Sequence, residues 1–413
     1  MRLKESTLKM LNEATRKFVS DHRFDDVRKS ALKIRSLADS GVDFSQALTQ
    51  IAGRQFAENK IQFWFQLDEI VYPPHLALEQ CSSEQTARYK AGLLSGNSFV
   101  DLTGGFGVDF AFISENFKES YYVEKQKELC EIAAFNFKVL GLTDVRIISE
   151  DSSEYLKKMS PVDAIFIDPG RRSDSGKKVF KIEEAEPDIL QMQDLLLEKS
   201  ETVLIKLSPM LDISMALNLM KNVAEVHVVG LENECKELLF TLKRNLASEP
   251  LITCINISKK GERSKISFLQ SREKALQIYY TTEINRYVYE PNASLLKAGF
   301  YKGLTDLYPV RKLHADSHLY TSEKFIRDFP GRIFRVEAYS SFNKKELKNL
   351  LRDVNQASIT VRNFPLSVAE LRKQLKIKEG GNIHFLATTL ADGKHVLLKA
   401  QVMTKFQTPL DLF

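Results

Sequence analysis

The spacing of apolar residues divides the chain into three regions. Over the first 70 positions, apolar side chains recur every three to four residues, which predicts helices such as the one over Phe44–Phe56. From 98 to 257, short apolar runs alternate with helical patterns, which is typical of a parallel sheet with helices on both faces. The last third predicts strands Gly331–Tyr339, Ser358–Val361, Ile383–Thr389 and His395–Val402, and helices Lys344–Asp353 and Ser367–Leu375.

Breaks in these patterns set the predicted domain boundaries. Consecutive prolines in Val71-Tyr-Pro-Pro-His75 end the helical region, because proline cannot continue a helix. We therefore predict an N-terminal helical domain over 1–74, an α/β domain over 75–270 and an α+β domain over 271–413. The paired apolar runs that close the middle region predict an antiparallel end to an otherwise parallel sheet.

A glycine-rich turn lies at the start of the predicted sheet. The apolar run Phe99-Val100 leads into Asp101, and glycines follow at 104, 105 and 107 before a helical pattern begins. Such a strand–turn–helix lets backbone N–H groups approach a ligand, so it predicts a cofactor-binding turn. A dinucleotide fingerprint needs a third glycine where this chain has Phe110, which argues against that cofactor.

Carboxylates follow four of the predicted strands. Asp101, Glu124, Asp151 and Asp168 each lie at or just past the end of a strand. Ligands of open α/β sheets bind at that edge, so we expect these acids to surround one site. Glu124 comes roughly 20 positions after the glycine-rich turn begins, as a residue that accepts hydrogen bonds from ribose hydroxyls would.

Together these motifs resemble those of class I S-adenosylmethionine (SAM)-dependent methyltransferases. Asp101-Leu-Thr-Gly-Gly-Phe-Gly is similar to the first motif of that family, and the resemblance covers about residues 75–270. It implies a Rossmann-like α/β sheet, mostly parallel with an antiparallel last strand, and SAM as the cofactor. It implies that Glu124 holds the ribose and that Asp151 lies near the adenine amine. The cofactor residues that it implies are Asp101, Thr103, Gly104, Gly105, Gly107, Glu124 and Asp151, with Ser82 and Thr86 at the methionine end.

The segment after the fourth strand resembles an Asp-Pro-Pro-type active-site motif. It reads Asp168-Pro169-Gly170-Arg171, with glycine in place of the second proline. We predict that Asp168 orients or deprotonates an exocyclic amine and that Pro169 stiffens the backbone so that a carbonyl points at the same amine. Arg171 replaces the aromatic residue that stacks the target base in that motif, and an arginine plane can also stack on a base. Arg172 and Lys206 are further predicted substrate-binding residues.

The positive charge of the chain is concentrated at its C-terminal end. Residues 271–413 contain 23 Lys and Arg against 14 Asp and Glu, whereas the remaining residues carry a net charge of −4. Such asymmetry suits a nucleic-acid partner, although charged surface helices would also produce it. The order strand–helix–strand–helix–strand–strand resembles a ferredoxin-like or THUMP-like RNA-binding module. The predicted phosphate contacts are Lys344, Lys345, Arg372 and Lys373.

The cysteines, histidines and apolar runs of the chain indicate its cellular compartment and whether it binds a metal. The four cysteines form no C-x-x-C pair, so we expect free thiols in a reducing, cytoplasmic compartment. No apolar run is long enough for a membrane span, and the N-terminus lacks a signal-peptide core. His314 and His318 would have metal-ligand spacing on a helix, but they have no companion ligand, so no metal is predicted. The oligomeric state is not predicted.

Three functions fit these observations. The first is SAM-dependent methylation of a base nitrogen of RNA, in rRNA or tRNA, by direct in-line transfer. The second is methylation of DNA, protein or a small molecule on the same fold. The third is a non-catalytic nucleic-acid-binding protein or one that uses another nucleotide cofactor, against which the complete series of strand-end acids argues. Carbon-5 methylation would need a Cys nucleophile, for which no Pro-Cys motif is present.

Overall fold

The computed structural model describes residues 11–27, 41–171, 182–246 and 248–403. Parts of the helical region predicted over the first 70 positions, and the predicted substrate residue Arg172, lie outside these ranges. The chain divides into two compact units, the first formed by 1–226 and 237–249 and the second by 227–236 and 250–413. The domain boundaries predicted at 74 and 270 stay predictions.

Within the described ranges, five helices precede the sheet of the first unit. A side-chain oxygen begins three of them, because Asn12, Asp43 and Ser83 each accept a hydrogen bond from a first-turn N–H. Cap residues therefore set where these helices start. The helices are α1 (Glu13–Asp21), α2 (Phe44–Lys60), α3 (Gln62–Phe65), α4 (His75–Gln80) and α5 (Glu84–Ala91).

Two buried amides hold the proline-rich connection after α3. The Gln50 side chain donates to the carbonyl of Tyr72 and accepts from its N–H, both at 2.8 Å. Asn136 does the same for Val71, at 2.8 and 2.9 Å. Each amide satisfies a backbone donor and acceptor that burial would otherwise leave unpaired, so this connection is fixed against the rest of the first unit.

Alternating strands and helices follow in chain order. The strands are β1 (Ser98–Asp101), β2 (Glu119–Glu124), β3 (Val145–Ser149), β4 (Val162–Ile167), β5 (Gly170–Arg171), β6 (Ala185–Glu186), β7 (Ser200–Leu207), β8 (Val223–Leu231) and β9 (Glu234–Lys243). The helices are α6 (Val108–Ser114), α7 (Lys127–Val139), α8 (Ser152–Lys158), α9 (Ile189–Lys199) and α10 (Ile213–Leu219).

The sheet of the first unit has the predicted topology. Its strands lie in the order β9-β7-β4-β1-β2-β3. β7, β4, β1, β2 and β3 run parallel, and β9 pairs antiparallel with β7. This arrangement confirms the mostly parallel sheet with an antiparallel last strand. The strand ends that carry Asp101, Glu124 and Asp168 consequently meet at one edge.

Phe110 shows why the third glycine of a dinucleotide fingerprint is absent. Its side chain is fully buried, and its ring lies 5.8 Å from that of Phe99 on β1 and 4.9 Å from that of Phe137 on α7. Helix α6 therefore packs on the sheet through an aromatic cluster rather than through the close backbone approach that glycine permits.

The second unit contains the C-terminal α+β region. Its elements are β10 (Leu251–Ile257), β11 (Arg263–Leu269), α11 (Gln270–Ala275), β12 (Tyr287–Pro291), α12 (Ala293–Ala298), α13 (Gly303–Leu307), β13 (Arg311–Lys312), β14 (Tyr320–Ser322), β15 (Gly331–Ser341), α14 (Lys344–Leu350), β16 (Ser358–Arg362), α15 (Val368–Leu375), β17 (His384–Thr389) and β18 (His395–Met403). The predicted strands and helices from 331 onward are all present, within a few residues of their predicted ends. β11, which was not predicted from the sequence, pairs antiparallel with β10.

A seven-stranded sheet organises this region, in the order β13-β14-β12-β15-β18-β17-β16. Helices α14 and α15 cover one face, where Leu347 and Leu371 pack with Phe385 and Leu397. We call this the helical face. On the opposite face a second core gathers the alternate positions of the same strands, namely Val288, Phe334, Leu386, Leu398 and Ala400.

Candidate active site

The glycine-rich turn after β1 requires its glycines for two physical reasons. Gly105 and Gly107 have φ of 54° and 87°, the left-handed region that other residues rarely adopt. A Cβ on Gly104 would lie 2.2 Å from the ring of Tyr122, whereas a Cβ on Gly105 would meet nothing closer than the Thr103 carbonyl, at 3.7 Å. The turn is therefore tightly packed behind Gly104 and open beside Gly105, as a cradle for a ligand would be.

Glu124 fixes the backbone of this turn from the neighbouring strand. Its Oε2 accepts the Gly105 N–H at 3.0 Å, and its Oε1 accepts the Gln126 N–H at 2.8 Å. The carboxylate is buried at the end of β2. The structure thus brings Glu124 to the glycine-rich turn, while its predicted contact with a ribose stays a prediction.

Asp101 and Thr103 connect the glycine-rich turn to the Asp168 motif. The buried Asp101 carboxylate accepts the Thr103 N–H at 2.9 Å, and the Thr103 hydroxyl accepts the Asp168 N–H at 2.6 Å. Burial raises the pKa of Asp101 well above its ordinary value, and the nearby carboxylates of Asp109 and Asp168 raise it further. The ends of β1 and β4 are therefore held together by one short hydrogen-bond chain.

The remaining predicted cofactor residues have partners of their own. Asp151 is exposed and caps α8, because its Oδ1 accepts the N–H groups of Ser153 and Glu154. Ser82 and Thr86 are buried; Ser82 donates to Asp109 at 2.7 Å, and Thr86 donates to the carbonyl of Ser83 at 3.1 Å. Any contact of these residues with a cofactor stays a prediction.

Lys206 and Asp168 form the centre of the site. Lys206 lies near the end of β7, and its ammonium pairs with Oδ2 of Asp168 and lies 3.8 Å from Oδ2 of Asp109. Burial alone would lower the pKa of Lys206, but the carboxylates of Asp168, Asp109 and Glu237 outweigh it and raise that pKa. The raised pKa favours the charged form of Lys206, whose side chain is 13% exposed, beside an Asp168 side chain that is 33% exposed.

A buried ion network supports this pair from behind. The Lys90 ammonium is fully buried and lies 2.7 and 2.8 Å from the two oxygens of Glu237 and 3.2 Å from Oδ1 of Asp109. It also donates to the Ser82 hydroxyl at 3.1 Å. Burial raises the pKa of Glu237. For Asp109, the ammonium groups of Lys90 and Lys206 outweigh the opposing effect of burial and lower the pKa.

Lys90 and Asp109 were not predicted from the sequence as members of this site. Lys90 and Glu237 lie 147 positions apart, and no spacing in the sequence links them. The sequence contained only a weak signal for the role of Lys90. It is a lysine inside the short helix α5, which also carries the buried residues Thr86 and Ala87.

The structure describes part of the predicted substrate-binding set. Gly170–Arg171 forms β5 directly after Pro169, and β5 pairs antiparallel with β6 (Ala185–Glu186). The chain therefore lies beside Gly170–Arg171 again when it reaches Ala185. The predicted stacking role of Arg171 concerns a side chain outside the described part of the structure. In the second unit Lys344, Lys345 and Lys373 are exposed on α14 and α15. Arg372 instead donates to the carbonyl of Ala357 at 3.1 Å.

Metal ligation and membrane insertion find no support in the described residues. These residues contain no group of three or more His, Cys, Asp or Glu side chains that could hold a metal ion. His314 and His318 do not share a helix, and the His318 ring stacks on that of Tyr301 at 3.9 Å. Over the same ranges, no helix combines the length and apolar character that crossing a bilayer requires.

Comparisons with known proteins identify the relatives of this chain. Residues 331–401 match the family described as THUMP domain-like, and residues 287–330 match a ferredoxin-like domain. A crystal structure from Porphyromonas gingivalis W83, named a "putative methyltransferase", is 35% identical, covers 95% of this chain and 98% of its own, and superposes with a TM-score of 0.85. An "uncharacterized S-adenosylmethionine-dependent methyltransferase" from Mycobacterium tuberculosis is 20% identical over 323 residues, which are 77% of this chain and 84% of that protein.

These likenesses agree with the geometry of both units. The Porphyromonas gingivalis protein shares the fold over nearly the whole length of both chains, and the C-terminal matches confirm the ferredoxin-like and THUMP-like resemblance. SAM, the predicted cofactor, is the one in the name of the mycobacterial relatives. The chain belongs to the family of class I SAM-dependent methyltransferases that carry C-terminal ferredoxin-like and THUMP-like domains.

Proposed function

We propose that this protein transfers a methyl group from SAM to a base nitrogen of RNA, with rRNA or tRNA as the acceptor. The THUMP-like match over 331–401 carries the proposal, because it joins a module that resembles RNA-binding domains to a methyltransferase sheet. The net charge of +9 over residues 271–413 supports it, since phosphate contacts dominate the affinity of proteins for nucleic acids.

The residues at the edge of the sheet suit SAM. We assign its binding to the open side of the turn at Gly105, to Glu124 at the end of β2 and to Asp151 after β3. On the Cβ side of Gly105 nothing lies closer than the Thr103 carbonyl, at 3.7 Å from the Cβ position, which fits a ligand approaching the backbone closely. When bound, SAM supplies an electrophilic methyl group on a sulfonium.

The residues of this chain position the acceptor and take up a proton. Lys206 occupies Oδ2 of Asp168, so we assign Oδ1 to the hydrogen of the acceptor amine. Pro169 restricts the backbone directly after Asp168. The Thr103 hydroxyl accepts a hydrogen bond from the Asp168 N–H and so fixes the backbone of Asp168 itself. This arrangement would hold the amine in line for transfer, and Asp168 would accept the proton that the methylated nitrogen loses.

The test is transfer of labelled methyl from SAM to RNA, DNA and protein fractions from cells that lack this gene. We expect label in RNA, and we expect Asp168→Asn to lower the rate by about 100-fold or more with SAM binding retained, since general acid–base groups contribute that much. Asp194→Asn, which removes an exposed carboxylate paired with Lys221, is the matched control.

Each other outcome contradicts a different part of the proposal. Label only in DNA or protein overturns RNA as the acceptor. Full activity of Asp168→Asn overturns the role of that carboxylate. Absence of label with calorimetric SAM binding intact points to a small-molecule acceptor. Absence of both label and SAM binding favours a non-catalytic nucleic-acid-binding protein.

A further inference from the structure

Two arginines of the second unit converge on one buried carboxylate. Glu290 on β12 is 2% exposed, and it lies directly opposite Arg332 in the antiparallel pairing with β15. Its Oε2 accepts from Nε of Arg332 at 2.6 Å and lies 2.5 Å from Nη2 of the same guanidinium. Its Oε1 lies 2.7 Å from Nη2 of Arg362 on β16. One carboxylate thus pairs with two guanidinium groups from different strands, by hydrogen bonding to Arg332 and by charge to Arg362, since Oε1 has no hydrogen-bond partner among the described residues.

The alternation of side chains along the strands places this cluster away from the helices. Glu290, Arg332 and Arg362 occupy the same alternate positions as Val288, Phe334 and Leu386, which form the core opposite the helical face. Thr360 belongs to the same set and is within 3.4 Å of Nη2 of Arg332. The cluster is therefore separate from Lys344, Lys345 and Lys373 on α14 and α15.

The cluster carries an excess of one positive charge. Arg332 contacts Oε2 of Glu290 through two nitrogens and Arg362 faces Oε1, so two guanidinium groups meet a single carboxylate. Arg362 retains a buried Nε without a hydrogen-bond partner among the described residues. A buried donor left unpaired costs stability, and a purely structural ion pair gains nothing from it.

Neighbouring imidazoles stay neutral beside these cations. The pKa of His384 is lowered to about 4, first by burial and then by Arg332. That of His318 is lowered to about 4 by burial and by the charges of Lys312 and Arg362. Both arginine side chains are nevertheless partly exposed, 37% for Arg332 and 38% for Arg362.

We propose that Arg332 and Arg362 form a phosphate-binding site and that Glu290 orients them for it. Two planar guanidinium groups whose directions are already fixed match the oxygens of one phosphate and lose little side-chain entropy on binding. On the proposed function, the phosphate is a phosphodiester of the RNA substrate. The site thus adds a backbone contact on the face opposite the predicted basic helices.

The test uses the full chain and removes the cluster without leaving a buried charge. Glu290→Gln/Arg332→Gln/Arg362→Gln neutralises all three groups together, and a thermal melt by circular dichroism checks that it folds. Arg332→Lys/Arg362→Lys keeps both positive charges near Glu290 but removes the planar guanidinium groups, each of which can donate two hydrogen bonds to one phosphate. Arg311→Gln, at an exposed position on β13, is the control for loss of one positive charge. The probes are inorganic phosphate and a single-stranded oligoribonucleotide.

We expect the triple variant to bind the oligoribonucleotide roughly tenfold or more weakly, as removal of hydrogen bonds to a charged group implies. The slope of log affinity against log salt should fall by about 0.7, the value for one phosphate contact on a single strand. The double-lysine variant should also bind more weakly than wild type, and Arg311→Gln should bind like wild type.

The outcomes separate this site from the proposed function. If wild type binds phosphate but no RNA, and the triple variant no longer binds phosphate, the site is supported with free phosphate as its ligand, and the RNA acceptor is overturned. If RNA binding is strong and its affinity and salt slope are unchanged in a folded triple variant, the site is overturned while the proposed function stands.

Discussion

The Lys90 ammonium is fully shielded from water, and this makes it sensitive to substitution. Two carboxylates, those of Glu237 and Asp109, compensate its charge inside the first unit. A buried ion pair adds little to stability relative to apolar residues, but removal of one partner leaves a buried charge uncompensated. Lys90 is therefore needed for stability as long as Glu237 and Asp109 remain charged.

Lys90→Met should lower the free energy of unfolding by about 3–5 kcal/mol, the usual cost of breaking a buried pair. Lys90→Met/Glu237→Gln should recover part of that decrease, because the double variant leaves fewer buried charges unpaired. Urea unfolding of the full chain measures both. Lys157→Met, which removes an ammonium from an exposed pair with Glu154, should change stability little. Equal effects of the Lys90 and Lys157 substitutions would contradict this account.

His384 makes the second unit sensitive to acid. Its pKa is lowered to about 4 from the ordinary 6.5, because the imidazole is buried and faces Arg332. As the pH falls below 6.5, the unfolded chain binds a proton that the folded chain excludes, so stability decreases down to about pH 4. The full decrease is on the order of 2–3 kcal/mol.

His384→Gln should reduce this dependence and leave the share that His318 contributes, since glutamine can still reach the Thr360 hydroxyl but does not titrate. Hydrogen exchange of the β16 and β17 amides over pH 6.5 to about 4 measures it locally. His395→Gln, at an exposed imidazole, is the control and should retain the dependence of wild type. An unchanged pH dependence in His384→Gln would show that other groups cause it.

Among the elements, the glycine-rich turn depends most on local geometry. Besides the contact with Glu124, two further hydrogen bonds fix it from β2: the Gly104 N–H donates to the carbonyl of Val123 at 2.9 Å, and the Tyr122 hydroxyl donates to the carbonyl of Gly105. The turn therefore cannot shift to accommodate a side chain without breaking hydrogen bonds to the sheet.

Gly104→Ala should displace this turn, because the new Cβ would lie 2.2 Å from the Tyr122 ring. We expect stability to fall by about 1–3 kcal/mol, typical of overpacking, together with weaker SAM binding by calorimetry. Gly141→Ala is the matched control, because Gly141 has a φ of 75° but no atom within 4 Å of its Cβ position. It should cost stability through backbone strain and leave SAM affinity unchanged. Unchanged SAM affinity in a folded Gly104→Ala protein would remove the turn from the cofactor site.

At the scale of the whole molecule, charge separates the two proposed binding activities. Residues 271–413 carry a net charge of +9 and the rest of the chain −4. RNA affinity should therefore fall steeply with salt, while SAM affinity, which we propose depends on the sheet edge of the first unit, should not.

Lys344→Gln/Lys345→Gln/Lys373→Gln should reduce the salt slope of oligoribonucleotide binding by about 0.7 for each phosphate that the variant no longer neutralises. Lys259→Gln/Lys260→Gln, on an exposed turn of the same unit, provides a control for charge alone. Filter binding over a salt series measures the slope, and calorimetry measures SAM binding. A slope equal to that of wild type would show that the basic helices are solvated surface, the alternative that the sequence left open.

Local patterns were enough to predict most elements. The alternating runs from 98 to 257 predicted strands β1 to β4 and β7 with their helices, because buried parallel strands are continuous apolar runs. The same reasoning missed β11, whose side chains are mostly exposed or half-buried and include Arg263 and Lys265. A strand that buries few side chains contains few apolar residues, so its apolar pattern is too weak to predict the strand.

The order of residues along the chain thus established the elements, the glycine-rich turn, the strand-end acids and the distribution of charge, since each depends on neighbours within a few positions. Topology alone brought Lys206 to Asp168, Lys90 to Glu237, and Arg332 and Arg362 to Glu290. These partners come from strands and helices far apart in the chain. They meet because of strand order and side-chain alternation, which act over the whole sheet. Neither leaves a spacing pattern in the sequence from which these contacts could be predicted.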